Sequence, residues 1–416
     1  MAPQDSSYFP SFSKFIESVT SAQHAEYSRR PTAKVADESQ FTAMQQYIID
    51  RYEGVEVVHS FVDENGQVFD CIPVEHQPSL KGTSAGPAAA PNAPASPTAE
   101  DSPSQGLRVQ PQLRSDRIDK FGHAMSCPPG TIAVRRITLD ELTNKENFRD
   151  FFRKVPVGEG RHPRLSPDPE ITSGIHKYAH GYQVTDNLGG HSFLNVWDPG
   201  VGSQVFSLCQ HWYAGGSPVQ TAECGWQVYP GKYGTVQPVL FIYWTADGYQ
   251  NTGCYNLDCT AFVQTNPAWV FGGTLSPVSS AGGAQYELEM GYYLYQGNWW
   301  LYLGGTDASH AVGYYPASQY QGGQLASNAT DIDYGGEVVD VTAWPAMGSG
   351  DFANAGWQYA AYQRDIYYYP SAGGAQNAAL TGDQPSANCY TITVNSAADP
   401  WNEYFFFGGP GGTDCT

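Results

Sequence analysis

Apolar residues in the first part of the chain recur at helical spacing over residues 8 to 27 and 38 to 53, the second including FTAMQQYIIDRY. The period then changes. VEVVHSFVDENGQVFDCIPVE reads as two strands around Asn65-Gly66, a dipeptide suited to a tight hairpin. From about residue 81 to 106 the patterning stops in GTSAGPAAAPNAPASPTAEDSPSQG, which has the composition of a disordered linker or long loop. GTIAVRRI predicts a strand, and LDELTNKENFRDFF a helix. The polar stretch VGEGRHPRLSPDPE marks a domain boundary, giving units 1–170 and 171–416. Beyond it come short aromatic and β-branched runs broken by Gly, Pro and Asn, among them SQVFSLCQHW, VLFIYWTA, NWWLYLG and YTITVN. They predict an all-β sandwich or barrel behind a smaller α+β unit.

Within the β region, TAECGWQVYP carries a charge where a strand is expected. At a two-residue period Ala222, Cys224, Trp226 and Val228 form one face, suited to a core. Glu223, Gly225, Gln227 and Tyr229 form the other, suited to the floor of a polar cleft. A second acid, Glu337 in DIDYGGEVVDV, follows two glycines that let another group approach the backbone. Two carboxylates on facing strands can share one proton and divide into an acid and a base, although spacing does not establish that they meet. If Cys209 and Cys224 are joined across neighbouring antiparallel strands, Gln210 falls opposite Glu223 and can steady water or an oxyanion.

Charge separates the two parts. All ten tryptophans stand at or after Trp197, and 18 of the 21 Lys and Arg precede Gly174, so the downstream part carries about −15 and the upstream part about −5. That balance argues against nucleic acid and against an anionic membrane surface as partners. It fits an acidic setting, where a domain with few fixed cations avoids self-repulsion. Eight cysteines, at 71, 127, 209, 224, 254, 259, 389 and 415, are compatible with four disulfides, and sequence alone leaves 105 connectivities. No apolar run is long enough to span a membrane. The opening MAPQDSS lacks a signal-peptide core, which leaves a leader already removed or a protein that is not secreted; the sequon Asn328-Ala-Thr favours secretion.

Other candidate chemistry is weaker. Gly82-Thr-Ser-Ala-Gly86 matches the nucleophile-elbow pattern but lies in the Pro/Ala stretch rather than on a strand-to-helix turn. His176 and His180 have the spacing of a helical zinc site, yet Lys177 stands where that motif needs a glutamate, so no metal or other cofactor is expected. Two carboxylates among many Trp and Tyr also suit an endoglycanase or a carbohydrate-binding sandwich.

The series FSLCQHW, ECGWQVYP, YGTVQPVLFIYWTADGYQNTGCYNLDC, GNWWLYLG, VGYYP and YGGEVV resembles the neprosin family, glutamic peptidases that cleave at proline. GQVFDCIPVEHQPSL and CPPGTIAVRRITLDEL resemble that family's activation-peptide domain. The resemblance implies a sandwich of two antiparallel sheets, a secreted zymogen inhibited by its own prodomain, a proline-rich peptide substrate, and a catalytic pair falling on Glu223 and Glu337. Gln210 then positions water or the oxyanion, and Gln227 and Tyr229 line the cleft. The expected disulfides are Cys71–Cys127, Cys254–Cys259, Cys389–Cys415 and, as a departure from plant members, Cys209–Cys224. Tyr334 stands where plant members commonly carry Trp, implying altered subsites. Maturation is expected between Val157 and Gly174, triggered by acid.

Overall fold

The computed structural model describes residues 9, 11–83, 86–97, 106–154 and 175–415. The helical pattern at the start resolves into Phe12–Ser21, His24–Tyr27 and Glu38–Tyr52, the last opened by Asp37, whose side chain accepts from the Gln40 amide. They bury Val19, Phe41, Met44 and Ile48. Beside them His59–Val62, Val68–Pro73 and Thr131–Arg135 form a three-stranded antiparallel sheet, its hairpin turning at Gly66. The helix expected over LDELTNKENFRDFF is two short pieces, Leu139–Thr143 and the 3-10 turn Phe148–Phe151. Thr138 with Glu141, and Asn147 with Asp150, each form a capping box, so the second cap signal starts a new element rather than continuing the first.

The downstream part is an antiparallel sandwich. One sheet of seven strands runs in the order Cys254–Tyr255, Val239–Thr245, Gln220–Val228, Phe206–Gly215, Ala329–Val339, His176–Asn187, Thr381–Asp383. The other, of ten, is centred on Tyr286–Tyr295, Gly189–Asn195 and Ala361–Tyr368. Between them lie Tyr213, Trp226, Tyr292, Trp299 and Tyr334. Trp226 donates its indole N–H to the Asn195 carbonyl at 3.1 Å, so this large buried ring also satisfies its polar atom across the two sheets. A second apolar cluster, with Tyr178, Phe206, Trp212, Tyr229, Tyr233 and Tyr255, covers the opposite face of the seven-stranded sheet.

The upstream part packs onto the sandwich. Arg51 and Tyr47 donate to the carbonyls of Leu257 and Asp258, each at 2.6 Å, and Gln67 donates to those of Tyr233 and Gly272. Leu107–Arg108 adds a short parallel strand beside Tyr286–Tyr295. The described residues of the Pro/Ala stretch, 86–97, have no helix or strand, as their composition implies, but they are docked rather than free. Pro91 accepts from the Tyr302 hydroxyl at 2.8 Å, and the Ala93 amide donates to Thr306. Ser84 lies outside the described residues, as does the expected maturation segment from Val157 to Gly174.

Three disulfides form as expected: Cys71–Cys127, Cys254–Cys259 and Cys389–Cys415. The fourth does not. Cys209 lies opposite Trp226, and Cys224 opposite His211, so the register is shifted by two residues from the one that would pair them. Both thiols are free and buried between the sheets, where burial pushes them up. No helix among the described residues is long and apolar enough to cross a membrane.

Candidate active site

The face of the seven-stranded sheet away from the core carries the charges singled out above. In register across three strands lie Gly335, Gln210 and Gly225. A side chain at Gly225 would meet the Cys209 carbonyl at 2.1 Å, and one at Gly335 the Ala179 carbonyl at 2.5 Å. Gln210 is therefore flanked by two positions without side chains. Glu223 and Glu337 stand two residues from these glycines on opposite outer strands, in the directions that place them diagonally about Gln210. Both are fully buried.

Their carboxylates converge on one nitrogen. The ammonium of Lys154, from the upstream part, lies 2.6 Å from Glu223 Oε2, 3.0 Å from Glu337 Oε2 and 3.2 Å from Gln210 Oε1. It also sits 5.3 Å from the centre of the Trp212 ring. Burial works against the charge of Lys154, but Glu223 and Glu337 outweigh it and hold the ammonium above the usual lysine range.

Each glutamate has its own donors. Glu223 accepts from Tyr249 at 2.6 Å, Thr221 at 2.8 Å and the Gln210 amide at 2.9 Å. Glu337 lies 2.6 Å from His176 Nδ1 and accepts from Tyr178 at 3.3 Å. Tyr249 holds φ of 64°, a conformation uncommon outside glycine, in a loop where the Asp247 carboxylate accepts from the amides of Gln250, Asn251 and Thr252. Each carboxylate is thus surrounded by its own donors, and the Lys154 ammonium is seated between the two.

The Gln210 amide reaches Glu223 diagonally, because the residue opposite Glu223 is Trp212. Gln227 shares the face and donates to the Tyr255 hydroxyl at 3.3 Å. Tyr229 packs among Phe206, Tyr233 and Tyr255. Tyr334 turns to the core, with its ring 4.6 Å from that of His211, so an altered subsite does not follow from it. His176 and His180 lie on a strand, not a helix, each against a carboxylate. Asn328 is half-buried, its amide bonded to Asp186 and Ala329.

Sequence reasoning passed over Lys154, Thr221 and Tyr249. His176 and Tyr178 had a readable signal, since HKYAHGY alternates with a two-residue period that puts both rings on one face. Nothing in spacing ties Lys154 to residues so far along the chain. Among the described residues no grouping of His, Cys, Asp and Glu could hold a metal ion.

The Neprosin family model matches residues 203–410, a span that contains Gln210, Glu223 and Glu337. Two solved structures of scytalido-glutamic peptidase, one with a transition state analog inhibitor and one with a peptide based transition state analog, each align over 56% of this chain and 98% of their own. Their identities are 8% and 10%, with TM-scores of 0.30 and 0.32.

Proposed function

This chain belongs to the neprosin family, and from that membership we propose that it is a secreted zymogen of a glutamic endopeptidase acting on proline-containing peptides in acid. The observation that carries the reading is the single Lys154 nitrogen held by Glu223, Glu337 and Gln210. A position within hydrogen-bond reach of two carboxylates and an amide oxygen is where an attacking water belongs. Lys154 holds that position in the full chain, so residues 1–170 act as the prodomain and inhibit 171–416.

Once the lysine leaves, two carboxylates so close cannot both stay ionised at low cost, and the pair retains one proton. The ionised glutamate takes a proton from water, whose oxygen bonds to the peptide carbonyl carbon. The protonated glutamate gives its proton to the carbonyl oxygen. On collapse the C–N bond breaks, and the amine leaves with a proton returned through the pair. Gln210, anchored to Glu223, orients the water.

The segment between the parts supports the zymogen reading. Lys154 and His176, the residues near its two ends, both contact Glu337. A cut in 155–174 therefore separates the blocking lysine from the histidine that stays with the enzyme. No disulfide among the described residues joins the parts, since Cys71–Cys127 lies in the first and the other two in the second. The three disulfides suit an oxidising compartment.

The test is Glu223→Gln and Glu337→Gln, assayed on proline peptides and on β-glucan after acid incubation. Each should lose about 10²- to 10⁴-fold in kcat with an unchanged melting profile of the matured protein. Substantial turnover by either variant excludes that residue, and activity on glucan alone replaces the peptidase reading with glycan hydrolysis.

A further inference from the structure

Asp331 and Asp333 share a strand with Glu337 and, by the two-residue period, the same face, yet they belong to none of the machinery above. Asp333 is compensated: both its oxygens lie 2.8 Å from His180 Nδ1. The other ring nitrogen of His180 is 3.3 Å from Asp383 Oδ2. Burial opposes the charge of His180, but these carboxylates outweigh it and push it up to about 10, so it is a cation at any working pH. One imidazolium thus serves two aspartates, and the third is left over.

Asp331 is only 4% exposed, and its Oδ1 has no hydrogen-bond partner. Burial, and then the charge of Asp333, push it up to about 9. A buried carboxylate without a partner is costly in either state, as an uncompensated charge or as an orphaned hydroxyl. The surrounding strand is shaped for access. A register shift at Ala329/Asp331 interrupts the pairing, and Asp331 lies between Ala214 and Val184, the latter 67% exposed. Bulges of this kind re-aim side chains beside functional sites.

Placement relative to the reacting atoms follows from register. Asp333 is opposite Trp212, which is opposite Glu223. Two strand spacings and one two-residue step put the Asp331 backbone about 12 Å from that of Glu223, or three to four residues of extended peptide at about 3.3 Å each. A metal ion does not fit, since no suitable ligand group occurs there among the described residues. A side chain with a charged tip on a long apolar stem does, the stem lying along Val184.

We propose that Asp331 forms a subsite for an arginine or lysine side chain of the substrate, three or four residues from the scissile bond. The cleft would then select peptides by two features at a fixed distance, the residue at the cleaved bond and a base. This rests on the peptidase reading, and the experiment separates the two.

The acid-matured full chain is assayed on end-blocked fluorogenic peptides bearing Arg, Lys, Ala or Glu at the second to fifth positions on either side of the cleaved bond. Blocking removes the α-amine as an alternative cation. Because an arriving cation must displace the proton that burial keeps on Asp331 in acid, the Arg- and Lys-to-Ala ratio in kcat/KM at one position three or four residues away should rise with assay pH, to about 10- to 100-fold at the highest pH that supports turnover, through KM, with Glu below Ala. Asp331→Asn should bring the Arg-to-Ala ratio to about one, and Asp331→Glu should keep part of it. Because the ratio is internal to each preparation, poor folding does not mimic the result. Equal rates for Arg and Ala, a preference confined to another position, or a preference that survives Asp331→Asn overturns the subsite and leaves the peptidase intact. No cleavage of any peptide overturns both.

Discussion

Lys154→Met keeps the stem length and removes the charge. The lost ammonium leaves two buried carboxylates and the Gln210 oxygen without their common partner. Removing one member of a buried ion pair costs about 3–5 kcal/mol. At about 2 °C per kcal/mol for a chain of this size, the intact precursor should melt about 6–10 °C lower at neutral pH. The penalty should shrink in acid, where one carboxylate protonates and the pair holds itself together. Wild-type Lys154 cannot be the group that titrates in that range. Its folded value is raised, so the stability it contributes is present below the usual lysine range and is lost only as pH rises past its shifted value. The same 3–5 kcal/mol, at 1.4 kcal/mol per tenfold, makes an open cleft about 10²- to 4 × 10³-fold more populated in the variant. Calorimetry at neutral and acidic pH measures the first effect. A fluorogenic proline peptide, with mass spectrometry before and after to show that residues 155–174 are uncut, measures the second. An intact variant that melts with wild type at neutral pH and stays as silent as wild type in acid would refute the blocking role of Lys154.

Stability should fall steadily as pH rises from about 5 to 9. Asp331 has its folded value raised to about 9, so the folded state is favoured while it stays protonated and is penalised as pH climbs from the ordinary carboxylate range toward 9. His180, raised to about 10, contributes stability that is fully present below the usual histidine value and is lost as pH rises through 10. Both slopes have the same sign, and Asp331→Asn should flatten the melting-temperature profile; a profile rising over this range would contradict both assignments. Thiol titration should find two reactive cysteines per chain in denaturant and none in the native protein, because Cys209 and Cys224 are free and buried; four disulfides on peptide mapping would restore the register in which these two pair.

The elements legible from sequence were those fixed by local chemistry. Asn65-Gly66 dictates its hairpin, and the alternation in TAECGWQVYP separates a core face from a polar one. Register was not legible. Pairing Cys209 with Cys224 assumed that two cysteines on neighbouring strands must bond, whereas the sheet is set by what it packs against. Trp226 takes the position opposite Cys209, and the Cys209 sulfur accepts from Gln363 of the other sheet at 3.1 Å. An error of two residues preserves every facing direction, so Gln210 still reached Glu223 from the wrong partner position. Tyr334 shows the converse: its place where plant members commonly carry Trp implied the cleft, but odd and even positions of Asp333-Tyr334-Gly335 face opposite ways.

The position of Lys154 also bears on why acid alone should not suffice. The lysine is carried by a segment anchored apart from its charge: the Phe151 carbonyl accepts from Lys232 at 3.2 Å, and Tyr47 packs beside Phe148 and Phe152. The Lys154 amide itself donates to the Tyr243 hydroxyl at 3.3 Å. Protonating a glutamate weakens the ion contact and leaves these in place. On the proposed zymogen reading, a tethered ammonium returns at the high effective concentration set by its covalent link, so an intact chain would favour the blocked state. Cutting within 155–174 turns that return into a bimolecular event, opposed by dilution once acid has weakened the contacts that remain. In the zymogen we propose, acid and cleavage are thus two steps with separate physical jobs: the first would loosen the lysine, and the second would prevent its return.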